Sequence, residues 1–392
     1  MQKKILILGA SILQLPAIRR AKELGYIVAV ADFNSHAIGI AHADHYYNVS
    51  TNDVPGICKV AKEFEPNGIL TLATDMPIRS IAVANSILGL TGISIDTAIK
   101  STDKGEMIKA FKANNVASPW FCIINSIDQV NQDNITYPCI IKPIDNSGSR
   151  GVCFVENRQQ LNKAFQYSRN ESRGGVVIIE EYLTGQEVSV EVMVVDDEPH
   201  IMAVTDKLTN GNPHFVEIGH SQQSQLPINK VSEIKELAVK AVKAIGIKNS
   251  PAHVEIMSTS NGPKMIELGA RMGGDCISTH LVPLSTGIDM IKATIDLSLG
   301  IQPDIIQKFD KGSAIKYLEL PYGKIQSITG IEDALGIRGV KEISLIKQVG
   351  EYSTEIRSSV DRIGYVVAQS ENAKEAIEIC NRAIDKIQYE IV

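Results

Sequence analysis

At 392 residues, with 44% hydrophobic and 21% charged residues, the chain has ordinary globular composition, which excludes wholesale disorder. A prior of roughly one domain per 150 residues implies two or three domains. The 39 Lys+Arg against 45 Asp+Glu leave a formal net charge of -6, which argues against a phosphate-backbone footprint and so against nucleic acid as a partner.

The longest apolar stretch, residues 81–95, is broken by Asn85, Ser86 and glycines and falls short of a spanning helix, so no membrane partner is expected. The opening run at 3–8 superficially resembles a signal peptide, but Arg19 and Arg20 follow without a small-x-small cleavage site. It reads as the first strand and helix of a cytoplasmic protein. The six cysteines (58, 122, 139, 153, 276, 380) contain no C-x-x-C pair, so neither a zinc site nor a disulfide framework is expected.

In chain order, the pattern predicts a strand at 4–8, a helix at 15–24 closed by Gly25, and a strand at 26–31 ending at Asp32. A helix at 54–64, a strand at 68–73 and a helix at 77–88 follow. This alternation specifies a parallel sheet with helices on both faces over residues 1–98. One helix is expected at 96–115, and from Trp120 the texture changes to short strands at 139–142, 151–155, 176–180, 187–195 and 200–205. Such runs suggest antiparallel pairing, with Asp196-Asp197 as a hairpin turn. A helix at 232–245 precedes strands at 252–257 and 264–267, joined by a turn at 260–262, and a further helix covers 289–299. Strands at 313–318, 342–347 and 362–368 and a helix at 372–387 read as a small α+β unit. The domain boundaries expected are 1–98, 99–310 and 311–392.

Gly9-Ala10-Ser11 sits where a dinucleotide fold places its glycine-rich turn, yet Ser11 and Gln14 stand at the second and third glycine positions of G-x-G-x-x-G. Asp32 resembles a ribose acceptor, but a pyrophosphate cannot approach the backbone closely without those glycines. A Rossmann-like domain without NAD is the expectation. No G-x-x-x-x-G-K-[ST] occurs, which excludes a P-loop.

The stronger phosphate signal follows the strand ending in Lys142-Pro143. The small-residue stretch 145–151, with Ser147, Gly148, Ser149 and Gly151, can bend several backbone N–H groups toward one anion, and Lys142 adds a compact charge. A plain hairpin tip is the alternative. Next come Glu180-Glu181-Tyr182-Leu183 and Glu187, either a solvated acidic turn or a hinge whose backbone meets an adenine edge while Glu187 accepts from ribose hydroxyls. Glu255 and Glu267 lie in apolar strands flanking a turn, where two facing carboxylates repel unless a cation lies between them. Oxygen ligands of this kind suit Mg²⁺. Arg271, followed by Gly273-Gly274 before a helical stretch, is placed to hold a carboxylate or to stabilise a phosphoryl-transfer transition state.

The joint order of Lys104, Lys142 with its Ser-Gly loop, Glu180 through Glu187, Glu255, and Glu267 with Arg271 resembles the ATP-grasp enzymes over essentially the whole chain. It looks most similar to the carboxylate–amine (L-amino-acid) ligase branch, with kinship to the carbamoyl-phosphate synthase large chain. Arg271-Met272-Gly273-Gly274-Asp275 and residues 215–220 look typical of that branch. The resemblance implies an α/β and α+β ATP-grasp fold, with a Rossmann-like first domain, a mobile lid subdomain at about 117–183 and a C-terminal α+β piece.

It further implies that Lys104 and Lys142 contact ATP phosphates, that 147–151 is a phosphate lid, and that Glu180, Glu181, Tyr182 and Leu183 frame adenine with Glu187 on ribose. Glu255 and Glu267 would hold Mg²⁺ (or Mn²⁺ as a substitute), and Arg271, with Lys142, would be catalytic and steady an acyl-phosphate. Asp75, His220, Gly273 and Gly274 would line the substrate cleft, although Asp75 reads equally well as a helix N-cap. The chain departs from the family at Gly269, where many members carry an Asn that ligates metal. Small-molecule carboxylate and amine substrates and a homodimer are implied as partners. His36, His42 and His45 read as a surface loop rather than a metal site, and His253 as structural. Bicarbonate chemistry of the carboxylase type, and a nucleotide-binding scaffold without catalysis, stay open as alternatives.

Overall fold

In the computed structural model, which describes residues 2–131, 134–146, 150–210, 216–356 and 361–392, the strand Lys4–Leu8 divides its side chains between two cores. Leu6 and Leu8 belong with Ile57, Val60 and Phe64 of the helix Val54–Phe64, whereas Ile5 and Ile7 belong with Ala17, Ile18 and Ala21 of the helix Leu15–Glu23. Successive strand residues point to opposite faces, so an unbroken apolar run needs cover on both. The sheet around it is parallel, in the order His45–Tyr47, Ile27–Ala31, Lys4–Leu8, Gly68–Leu70. Beyond the first strand, the Ala10 N–H donates to Asp32 Oδ2 at 2.8 Å. Gln14 fills the space beside Gly9, where a Cβ would lie 2.7 Å from its Oε1.

The expected helix at 96–115 is two helices, Ile95–Lys100 and Lys104–Ala113. Asp103 adopts an extended conformation and its carboxylate accepts from the Glu106 N–H, an N-cap that restarts the helix with Lys104 as its first residue. The strand Phe121–Ile124 and the helix Arg158–Glu171 are absent from the sequence reading. That helix buries only Leu161, Ala164, Phe165 and Ser168, an apolar stripe too thin to stand out. It covers an antiparallel sheet ordered Phe121–Ile124, Val177–Glu181, Cys139–Pro143, Cys153–Val155, with a core of its own.

The large sheet has eight antiparallel strands, ordered Gly262–Gly269, Ser250–Thr259, Gln186–Val195, Glu198–Thr209, Glu217–Gln222, Gly312–Tyr317, Gly364–Ser370, Val340–Leu345. Strand pairing therefore runs on through residue 311, because Gly312–Tyr317 hydrogen-bonds Glu217–Gln222. A chain-order reading sees a separate run of strands and a helix beyond that point but not the edge strand that they join. Among the described residues no helix is long and apolar enough to cross a membrane. Ser147, Gly148, Ser149 and Phe215 lie outside the described residues.

Candidate functional site

Glu255 and Glu267 stand directly opposite each other in the register of the antiparallel strands Ser250–Thr259 and Gly262–Gly269. Alternation sends Val254 and Ile256 fully into the core and leaves Glu255 facing a cleft. Each carboxylate has an ammonium partner: Lys104 Nζ is 2.9 Å from Glu267 Oε2, and Lys207 Nζ is 3.3 Å from Glu255 Oε1. The Lys207 side chain is 4% exposed and also reaches Glu187 at 2.5 Å and Glu217 at 3.4 Å. Burial would push its pKa down, but these three carboxylates hold it well above the usual lysine value. Burial would likewise raise Glu255, and Lys207 together with His253 outweighs that and holds its carboxyl well below the usual range.

Lys207 was missed by the sequence reading. The signal was there: Asp206-Lys207 closely follows the apolar run 201–204 on the same strand, and a charge buried there requires partners. His253 is more than a packing residue. Its Nδ1 is 2.5 Å from Glu191 Oε1 and its Nε2 is 3.2 Å from Glu255 Oε1. Burial lowers a histidine pKa, but Glu191 and Glu255 overcome that and push His253 up to about 9. The imidazolium thus links a fully buried carboxylate to one in the cleft.

A cavity of about 760 Å³ is lined by Lys104, Lys142, Glu180, Tyr182, Glu187 and Glu267, among others. Lys142 Nζ lies 2.6 Å from Glu180 Oε2 across adjacent strands, both side chains less than a tenth exposed. Glu181 pairs with Lys264 at 2.7 Å, the Tyr182 ring meets Phe154 edge-on at 4.7 Å between centroids, and Leu183 also faces the cavity. Gly151 follows with a φ of 80°, and a Cβ there would lie 2.7 Å from Pro143 Cγ.

A second cavity, of about 360 Å³, shares Lys104, Asn146, Glu255 and Glu267 with the first and extends to the N-terminal sheet domain. Asp75 and Arg271 meet there as a bidentate pair, Nε to Oδ1 at 2.9 Å and Nη2 to Oδ2 at 3.1 Å. Asp75 is thus the partner of a cation and not an N-cap: its side chain caps no backbone N–H, and the following helix Ile78–Leu88 has no side-chain cap. A Cβ at Gly269 would lie 2.6 Å from Asp75 Oδ1, so the ion pair occupies the space a side chain at 269 would need.

His220, Gly273 and Gly274 do not line either of these two cavities. The His220 side chain is 1% exposed with Nε2 3.5 Å from Asp275 Oδ2. The Gly273 N–H donates to Glu191 Oε2 at 3.1 Å, and Gly274 sits beside Ala73. Asp275 in turn is gripped by Arg362 at 2.8 Å, a residue no motif pointed to.

A model of the ATP-grasp domain matches residues 135–279, and one of the L-amino acid ligase C-terminal domain 2 matches residues 316–392. The chain carries an ATP-grasp domain. An uncharacterized protein of Sinorhizobium fredii is 29% identical over 66% of this chain and 54% of its own length. Alanine–anticapsin ligase of Bacillus subtilis is 26% identical over 74% of this chain and 66% of its own. The chain thus spans between half and two thirds of these curated relatives. The solved L-amino acid ligase from Bacillus licheniformis shares the fold, with a TM-score of 0.86, 20% identity and coverage of 100% of this chain and 99% of that one. Within the ATP-grasp domain fall Lys142, Glu180, Glu187, Lys207, Glu255, Glu267 and Arg271, whereas Lys104 and Asp75 reach the same clefts from before it.

Proposed function

We propose that the chain is an ATP-dependent carboxylate–amine ligase that works through an acyl-phosphate and releases ADP and phosphate. The observation that carries this reading is the shared wall: one pair of opposed glutamates, with Lys104, borders both the larger cavity and the smaller one. A nucleotide in the first cavity would present its terminal phosphate to a carboxylate held in the second.

The larger cavity would take ATP, with Tyr182 and Leu183 against the base, Glu187 on the ribose and Lys142 on the phosphates. Glu255 and Glu267 suit Mg²⁺ in donor type, since both offer hard carboxylate oxygens from rigid paired strands. Among the described residues no cluster of three or more His, Cys, Asp or Glu side chains suits a metal, which fits an ion that takes its remaining ligands from phosphate and water. When bound, Mg²⁺ offsets phosphate charge and orients the triphosphate. His253 and Lys207 fix Glu255 between them, so the carboxylate is held in place before any ligand arrives.

In the first chemical step a substrate carboxylate oxygen bonds to the terminal phosphorus and ADP leaves. Arg271, which Asp75 aligns, would stabilise the charge on the acyl-phosphate. In the second step an amine nitrogen bonds to the acyl carbon, phosphate leaves, and the nitrogen loses a proton. An acyl-phosphate exposed to water would hydrolyse, so the reaction requires solvent to be kept from the space the two cavities share.

The test is ADP release with a panel of amino acids and amines, alone and in pairs, followed by mass analysis of the product. Release that requires both an acid and an amine, with a product lighter than their sum by one water, is expected. Turnover with bicarbonate alone would replace this reading with the carboxylase one.

A further inference from the structure

The smaller cavity carries a charge imbalance that the ligase chemistry does not use. Three of its four acids are already paired with cations, and the fourth is saturated with hydrogen bonds. Asp75 is held by Arg271, Glu267 by Lys104 and Glu255 by Lys207. Asp145 accepts from Ser172 Oγ at 2.9 Å and from the N–H groups of Arg173 at 3.2 Å and Gly174 at 2.8 Å. Two of its arginines are not matched. Arg79 Nε donates to Thr102 Oγ1 at 2.7 Å, Arg173 Nη2 contacts Met76 Sδ at 3.1 Å, and neither faces a carboxylate among the described residues. A guanidinium has five N–H donors, so each keeps most of them available.

The two arginines come from opposite walls. Arg79 is the second residue of the helix Ile78–Leu88, whose uncapped N-terminus adds partial positive charge. Arg173 follows the helix Arg158–Glu171, and Asp145 pins it to the chain entering Asn146. Met76 and Arg79 flank Pro77 and Ile78, so the Arg173–Met76 contact brings the second arginine to the first one's helix start.

Resting on the ligase reading above, we infer that the carboxylate substrate carries a second anionic group, a carboxylate or a phosphate ester, which Arg79 and Arg173 hold together. The cavity, about 360 Å³, fits a molecule of amino-acid size. Arg79 and Arg173 are both exposed, and an anion makes charge-assisted hydrogen bonds with them that a neutral isostere cannot, which sets the preference.

ADP release should be compared for L-aspartate and L-asparagine, L-glutamate and L-glutamine, and O-phospho-L-serine and L-serine, each with the same amine panel. One acidic member is expected to exceed its neutral partner by about 50-fold in kcat/KM. Which acidic member wins separates carboxylate from phosphate. Arg79→Gln and Arg173→Gln should each raise KM for that acid about tenfold. The preference over its neutral partner should shrink in step, while KM for ATP stays put. Equal turnover of charged and neutral members, or arginine variants that keep the preference, would overturn the second-anion site while leaving the ligase reading intact. Absence of ADP release with every pair would sink the ligase reading and this one with it.

Discussion

The two adjoining cavities balance their charges in different ways. In the larger one three lysines are already committed to carboxylates of the protein: Lys142 to Glu180, Lys104 to Glu267, and Lys207 to Glu187, Glu217 and Glu255. In the smaller one the Asp75–Arg271 pair is complete, but Arg79 and Arg173 are left over. The first pattern suits a ligand that brings both signs, such as a metal–nucleotide complex, because alternating partners can be exchanged without leaving any charge stranded. The second suits a ligand that brings negative charge alone. The shared floor of Glu255 and Glu267 belongs to both.

Breaking that floor should have the largest effect. Glu267→Gln removes one of the two opposed carboxylates, and ADP release is expected to fall by more than about 100-fold, beyond the 10- to 100-fold typical of residues that merely orient a metal ligand. Near-normal turnover would take Glu267 out of the metal site. Next in size, Lys142→Ala should weaken ATP binding by about 10- to 100-fold in titration calorimetry. Because it also strands the buried Glu180, the double variant Lys142→Ala/Glu180→Gln should recover stability but not affinity. Unchanged affinity would assign Lys142 a purely structural role.

On the other side of the comparison, Gly269→Asn restores the side chain that many family members carry, yet its Cβ would press on Asp75 Oδ1. Turnover is expected to drop about tenfold as Arg271 loses its alignment. A rise in turnover would mean the Asp75–Arg271 pair is a substitute of no consequence. The smallest effect concerns stability. The folded-state pKa of His253 is raised from 6.5 to about 9, so its contribution is fully present below about pH 6.5 and is lost as pH rises through 9. The melting temperature should therefore fall across that window, by an amount on the order of 2 kcal/mol in stability. His253→Gln should flatten that part of the profile, and an unchanged slope would show that Glu191 does not hold a charged imidazole.

Much of this was legible along the chain because the relevant residues sit in patterns that constrain them locally. An acid inside an apolar strand, as at Glu255 and Glu267, must face either a partner or a cleft, and the hairpin turn between them fixed which. The break at Asp103 was not legible as a break, since Ser101-Thr102-Asp103 also reads as ordinary helix interior until the Asp103 side chain is seen capping Glu106. Arg362 acts through partners far off in sequence, so no local spacing marked it, and for Lys207 the strand marks a buried charge but not which distant carboxylates it meets. His220 misled for the opposite reason: its motif is conspicuous, but its side chain is buried beside Asp275 and lines neither cavity. Continuity of the large sheet through residue 311 is a matter of which edge a later strand joins, and the sequence holds no such information.

The acyl-phosphate step can be examined directly with a substrate acid labelled with ¹⁸O in its carboxylate and the phosphate released under single turnover. Transfer of one labelled oxygen to inorganic phosphate, with the other kept in the amide, is the expected result. Phosphate free of the label would mean that the carboxylate never bonds to phosphorus, and that the two cavities do not act on one another's contents.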